Sequence, residues 1–237
     1  MLPEIRYSDN GVAALGDTLL LEDFCFTYKD GKHGINIPRL ELPANRIIAM
    51  VGHNGAGKST LARNICGLER KCKGILAMNG KKLKAKERLH NCYMIMQDVN
   101  HQLFTESVRD EAVLSMTDKK LNDEQKAQKA DEILARLDLI EYVDTHPMAL
   151  SGGQKQRTAI ASGIASSKPI IIFDEPTSGL DLAHMKQVAD QLKNLKDMGK
   201  TVIVVTHDNE FILSCCDHIV RLENGGVVEN CSILKGI

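Results

Sequence analysis

The sequence contains no run approaching the ~20 consecutive apolar residues of a membrane-spanning helix, so a role at a membrane would need another chain to do the spanning. The opening stretch, "MLPEIRYSDNG", lacks the apolar core of a secretory signal. Cysteine is present but unpatterned. The seven residues at 25, 66, 72, 92, 215, 216 and 231 are odd in number and include no C-x-x-C spacing, which excludes a disulfide framework and a zinc site. Several sit in apolar runs, where a reduced cysteine acts as a small hydrophobe, and a reducing cytoplasm is the expected setting. Charge of one sign is also missing. Thirty Lys and Arg against 31 Asp and Glu, interspersed, give a net charge of −1. That balance argues against nucleic acid as a partner held by bulk electrostatics and against a polybasic membrane tail. Internal repeats, low-complexity segments and a long heptad run are absent too.

What remains is a 237-residue chain, 43% hydrophobic and 26% charged, enough for one large domain or two small ones. The runs "RIIAMVG" (46–52), "IIIFDE" (170–175) and "TVIVVTH" (201–207) are short and β-branched, and they read as buried strands. Helical patterns follow at 58–67, 182–198 and 208–216, and this alternation predicts a mostly parallel α/β sheet. Ligands are then expected at the carboxyl ends of the strands, where Gly52, Asp174, Glu175 and His207 fall. Residues 18–28 predict an antiparallel β region, and 218–230 a hairpin turning at Asn224-Gly225-Gly226. From about 107 to 167 no strand is evident. Asn122 reads as the N-cap of a helix over 121–139, in what is expected to be a helical insertion. The first 15 or so residues are expected to be poorly ordered.

"GHNGAGKS" fits G-x-x-x-x-G-K-[ST] between a buried strand and a helix, the context a phosphate-binding loop requires. Gly55 and Gly57 would let the backbone wrap a phosphate, with N–H groups from about 55 to 60 forming an anion nest. Lys58 would bridge the β- and γ-phosphates and Ser59 would place its hydroxyl on Mg²⁺. Asp174, ending a buried strand, is placed to hold the metal, and Glu175 could polarise an attacking water. His207 closes the next strand, where a capping or core role competes with one near the γ-phosphate. "LSGGQKQR" (150–157) poses a separate question, because a second helix start suited to an anion follows Gly152 and Gly153. Ser151 as a plain N-cap with glycines for tight packing would also account for it.

In this order, these motifs resemble the nucleotide-binding subunit of ATP-binding-cassette (ABC) proteins over nearly the whole chain. The matching stations are Tyr28, the loop at 52–60, Gln97 ending "CYMIMQ", "LSGGQ" at 150–154, "IIIFDEPTSGLD" at 170–181 and "VVTHD" at 204–208. The resemblance implies one P-loop NTPase domain of the ABC type over 1–237. Its α/β core with antiparallel β region would span 18–97 and 168–237, and its helical insertion 98–167. It implies that ATP and Mg²⁺ are bound and that ATP is hydrolysed. Catalysis would fall to Glu175, His207, Lys58 and Gln97. Nucleotide contacts would come from Tyr28 stacking on adenine, from Asn54, Gly55, Ala56, Gly57, Lys58, Ser59 and Thr60, and from Ser151, Gly152, Gly153, Gln154 and Asp181. The metal would be held by Ser59, Gln97 and Asp174. Ala56 stands where the family often has Ser, a mild change at a position acting through its backbone. The resemblance also implies a second ATPase subunit, identical or not, whose γ-phosphate faces the "LSGGQ" helix start in a head-to-tail dimer.

Within the family, "QDVNHQLFTESVRDEAV" (97–113) is most similar to energy-coupling-factor importers and cobalt/nickel ATPases through Gln102, Leu103, Phe104, Val108 and Glu111. Asp98, Val99, Asn100 and His101 depart from the usual turn. A peripheral ATPase at the cytoplasmic face of the membrane follows, powering import of a vitamin or transition-metal ion. A transmembrane subunit would dock near Gln97–Met116. Leu103 and Phe104 would be exposed knobs for that contact, or would pack inside the insertion. The alternative is a soluble ABC ATPase such as one serving iron–sulfur assembly.

Overall fold

The computed structural model describes residues 6–8, 18–29, 31, 34–178 and 180–234, with Arg6–Ser8 described as backbone only. The expectation about the first 15 or so residues falls almost wholly outside this set, apart from the short strand β1, Arg6–Ser8. The chain divides into two compact units, one built from the residues up to Cys92 and from Pro169 onward, the other from Tyr93–Lys168.

In the first unit, β2 (Thr18–Thr27) and β3 (Gly34–Pro43) pair antiparallel, and β5 (Lys73–Met78) with β6 (Lys81–Lys82) extends the sheet. Alternation along β2, shifted by one residue at an irregularity where Asp23 takes φ 46°, buries Leu19, Leu21, Phe24 and Phe26 on one face, as a half-covered sheet requires. The sequence reading anticipated the first of these strands. β5 has only the four-residue apolar run 75–78, β6 is two lysines, and β3 carries Pro38 in mid-strand.

The larger sheet of this unit runs β1-β11-β10-β4-β9-β8. Its parallel heart is β10 (His218–Glu223), β4 (Ile47–Val51), β9 (Thr201–Val205) and β8 (Ile170–Asp174). β11 (Gly226–Leu234) returns antiparallel to β10 through Asn224 and Gly225, both at positive φ (48° and 78°), the signature of a tight hairpin turn. All five residues of β4 and of β9 are buried, which is why both read as continuous apolar strings. Helices α1 (Lys58–Ile65), α6 (Leu182–Asp197) and α7 (Asn209–Cys215) follow β4, β8 and β9, while α2 (Ala85–Asn91) precedes the second unit. The register Met50↔Val205 and Asp174↔Val205 brings the carboxyl ends of β4, β9 and β8 to one level. A ligand site at that end is therefore a consequence of parallel pairing.

All but the first residue of β7 (Cys92–Ile95) belongs to the second unit, which holds α3 (Val108–Ser115), α4 (Asp123–Ala135) and α5 (Gly152–Ala165). Each helix is capped from its own sequence. Ser107 Oγ accepts from Asp110 N, Asn122 and Gln125 form a reciprocal capping box, and Ser151 and Gln154 form another. Val108, Ala112, Ile133, Leu134, Ala159 and Ile160 bury the facing sides. Arg109 ties α3 to Asp131 of α4 at 2.7 Å and to Asp144 at 2.8 Å. Among the described residues no helix is long and apolar enough to cross a membrane.

Candidate functional site

The loop between β4 and α1 carries the phosphate motif. Asn54 and Gly55 are exposed and Ala56 is buried, its N–H donating to His53 O and its carbonyl accepting from Gly225 N at 3.0 Å. Gly57 closes the loop at φ 103°, a conformation that strains any other residue, and a Cβ there would crowd Ile35 Cγ2 at 3.0 Å. Lys58 is buried, and its Nζ donates to Gly52 O at 2.8 Å and His53 O at 3.1 Å, which holds the ammonium within the loop. The first N–H groups of α1 have no partner inside the helix.

Ser59 Oγ donates to Asp174 Oδ1 at 3.0 Å, joining the helix start to the end of β8. Burial pushes the Asp174 carboxyl above its ordinary range, the Ser59 hydrogen bond offsets part of that, and the Glu175 carboxylate adds to the rise. Glu175 sits at φ 49°, a left-handed conformation uncommon for a non-glycine residue, anchored by its N–H to Val205 O at 2.9 Å. Its carboxylate is faced by His207 Nδ1, which lies 3.1 Å from the buried Oε2 and 3.2 Å from Oε1. Tyr28, 39% exposed, meets Phe26 edge-on and its hydroxyl lies 3.2 Å from Thr60 Oγ1. Asp181 caps α6 by accepting from His184 N, a bond that lowers its carboxyl pKa. The first unit thus gathers Lys58, Ser59, Asp174, Glu175 and His207, with Tyr28 and Thr60 beside the loop.

Ser59 and Asp174 offer two hard oxygens, one of them a carboxylate whose burial favours an added positive charge, and this donor set fits Mg²⁺. No group of three or more His, Cys, Asp or Glu assembles as a metal site among the described residues. Mg²⁺ suits such a sparse set, because it keeps several waters and binds substrate phosphates.

In the second unit, Gln97 is exposed, and the chain on either side of it is gathered by Gln102, which donates to Met94 O and accepts from Met96 N. The "LSGGQ" stretch forms the start of α5, with Ser151 and Gly152 exposed. A Cβ on Gly152 would meet no heavy atom within 4 Å, so internal packing makes no demand for glycine there. The expectation for the two apolar knobs splits. Leu103 is 4% exposed and belongs to the core, correcting its reading as an exposed knob, whereas Phe104 is 74% exposed. The sequence reading missed what divides them. The Glu111 carboxylate, buried on α3, accepts from Phe104 N (3.1 Å), Thr105 N (3.0 Å) and Thr105 Oγ1 (2.7 Å), pinning the loop with Phe104 outward. An acid in a first helical turn was visible, but its burial was not.

Comparison with known proteins agrees with this geometry. Residues 35–178 match the sequence family described as ABC transporter. An ABC transporter ATP-binding protein of Treponema denticola is 44% identical over 91% of this chain, and one of Methanosarcina acetivorans is 33% identical over 88%. The chain spans only 40% and 34% of those two relatives, so it is about two fifths of the length of the curated proteins it matches. Among solved structures, cbiO1 of Clostridium perfringens, part of the ABC transporter complex cbiONQ, superposes with a TM-score of 0.81 at 28% identity, covering 90% of this chain and 87% of that one. An ATP-binding cassette of an ABC transporter in its ADP conformation shares the fold, with a TM-score of 0.78 at 21% identity and 91% coverage of each chain.

Proposed function

The chain belongs to the ABC transporter family as an ATP-binding, ATP-hydrolysing domain, and from that premise we propose that it powers a membrane importer of the energy-coupling-factor kind. The observation that carries the ATPase reading is the convergence of Lys58, Ser59, Asp174, Glu175 and His207 at one strand-end level, with Lys58 and Ser59 opening α1. Lys58 would neutralise the β- and γ-phosphates, and the free N–H groups of the loop would cradle them. Ser59 and Asp174 would hold Mg²⁺, which when bound supplies charge that offsets the phosphate oxygens. Glu175 would orient the attacking water and accept its proton, and His207 would hold that carboxylate and sense the γ-phosphate. Tyr28 would stack on the adenine and Asp181 would face a partner subunit.

The open start of α5 supports a paired mode of action. Ser151, Gly152, Gly153 and Gln154 would meet the γ-phosphate bound by a second ATPase subunit, so each site is complete only when ATP bridges two of them. Phe104, presented by the Glu111 clamp, would enter a groove on a transmembrane subunit, placing the protein at the cytoplasmic face of the membrane. The similarity to cbiO1, a component of the cbiONQ complex, and the 97–113 stretch support import, with a transition-metal ion or vitamin as cargo. Recovery of the tagged protein from detergent-solubilised membranes tests this. A co-purifying polytopic membrane protein is the expected result, and soluble partners alone would contradict it.

A further inference from the structure

Stacking on adenine needs only the ring of Tyr28, yet the side chain also carries a hydroxyl placed 3.2 Å from Thr60 Oγ1. Burial does not force this contact, because Tyr28 is 39% exposed and its hydroxyl could be satisfied by water. The ring is held independently, edge-on to Phe26 at a centroid distance of 4.8 Å and an interplanar angle of 87°. Thr60 is the third residue of α1, so its own N–H lies among the first-turn donors that have no partner inside the helix. Its carbonyl is occupied by Asn64 Nδ2 at 2.8 Å, which fixes that turn from the other side.

A hydroxyl can accept one hydrogen bond while donating another, and accepting strengthens it as a donor. We propose that Tyr28 has a second role, in which its O–H donates to Thr60 Oγ1 and thereby aims and strengthens the Thr60 hydroxyl as a donor to a polyphosphate oxygen of the bound nucleotide. The inference rests on the ATP-site reading above and adds to it a base-independent contribution from a residue otherwise assigned to the base. Tyr28 is on this account a positioning residue for the phosphates. No proton is transferred. The Tyr28 O–H and the Thr60 O–H each keep their hydrogen, and only the direction of donation is set.

The roles separate in a binding experiment with Mg²⁺ and three probes: ATP, GTP and inorganic tripolyphosphate. Tyr28→Phe keeps the ring and its contact with Phe26 and removes only the hydroxyl. It is expected to weaken all three probes by one common factor, about three- to tenfold for a lost hydrogen bond. Thr60→Val is expected to weaken them by at least as much. Tyr28→Phe combined with Thr60→Val should cost no more than Thr60→Val alone, and Thr60→Ser should retain wild-type affinity. A Tyr28→Phe loss confined to ATP, wild-type tripolyphosphate binding by Tyr28→Phe, or additive losses in the double variant would each overturn the proposal. So would a Thr60→Ser loss as large as that of Thr60→Val. Failure of the wild-type protein to bind either ATP or tripolyphosphate is a different result, and it would remove the nucleotide-site reading on which the proposal stands.

Discussion

His207 Nδ1 lies 3.2 Å from Oε1 and 3.1 Å from Oε2 of Glu175, joining the residues that follow two neighbouring parallel strands. The histidine side chain is 77% exposed and the carboxylate 16%, so an exposed ring holds an enclosed acid. A catalytic base needs such a partner to fix its orientation. His207→Ala is expected to slow ATP turnover by ~10²-fold or more while changing nucleotide affinity only a few-fold. Steady-state kinetics with a direct binding measurement checks both; unchanged turnover would remove His207 from the mechanism.

Asp174 illustrates a site that lowers the stability of its own fold. Burial raises its carboxyl pKa, so its ionised form is less favourable in the folded chain than in the unfolded one. The associated stability is present in full below about pH 4, the unfolded range, and is lost as pH rises through the higher folded value. Asp174→Asn should therefore raise the unfolding temperature of the nucleotide-free protein near pH 7, with the gain vanishing toward pH 4. Calorimetry across pH tests this, and a variant less stable than wild type at neutral pH would count against it. The same variant should lose Mg²⁺-dependent stabilisation by ATP.

Phe104 and Glu111 give a paired expectation. Phe104→Ala should leave ATP affinity intact and weaken recruitment to membranes by about tenfold, as expected for loss of an exposed aromatic anchor. Glu111→Ala should act in the same direction by releasing the loop, with an added loss of stability from the orphaned amide donors. Normal membrane recruitment of Phe104→Ala in a co-purification assay would eliminate the docking surface.

Much of this site could be read from local chemistry alone. Buried parallel strands announce themselves as continuous apolar runs, and the phosphate loop needs its glycines and Lys58 at fixed spacing. The caps at Asn122 and Ser151 are four-residue patterns that the structure realises with their reciprocal bonds. What escaped the sequence depends on tertiary context. β6 is two exposed lysines and carries no pattern, while the alternation in β3 that buries Ile35, Ile37, Leu40 and Leu42 is interrupted by Pro38. Leu103 and Phe104 are adjacent and similarly apolar, and only the buried Glu111 carboxylate decides which one turns inward. The Tyr28–Thr60 contact joins residues 32 apart, which no spacing rule links.

Glu175→Gln probes the strand-end cluster most directly. The amide keeps the shape and the contact with His207 but cannot accept a proton from water. With ATP and Mg²⁺, the variant is expected to turn over ATP at least ~10²-fold more slowly than wild type, and to form an ATP-dependent dimer by light scattering that Gly152→Asp abolishes. Turnover at the wild-type rate would contradict the assignment of Glu175, and with it the central claim that this strand-end cluster is the ATP-hydrolysing site.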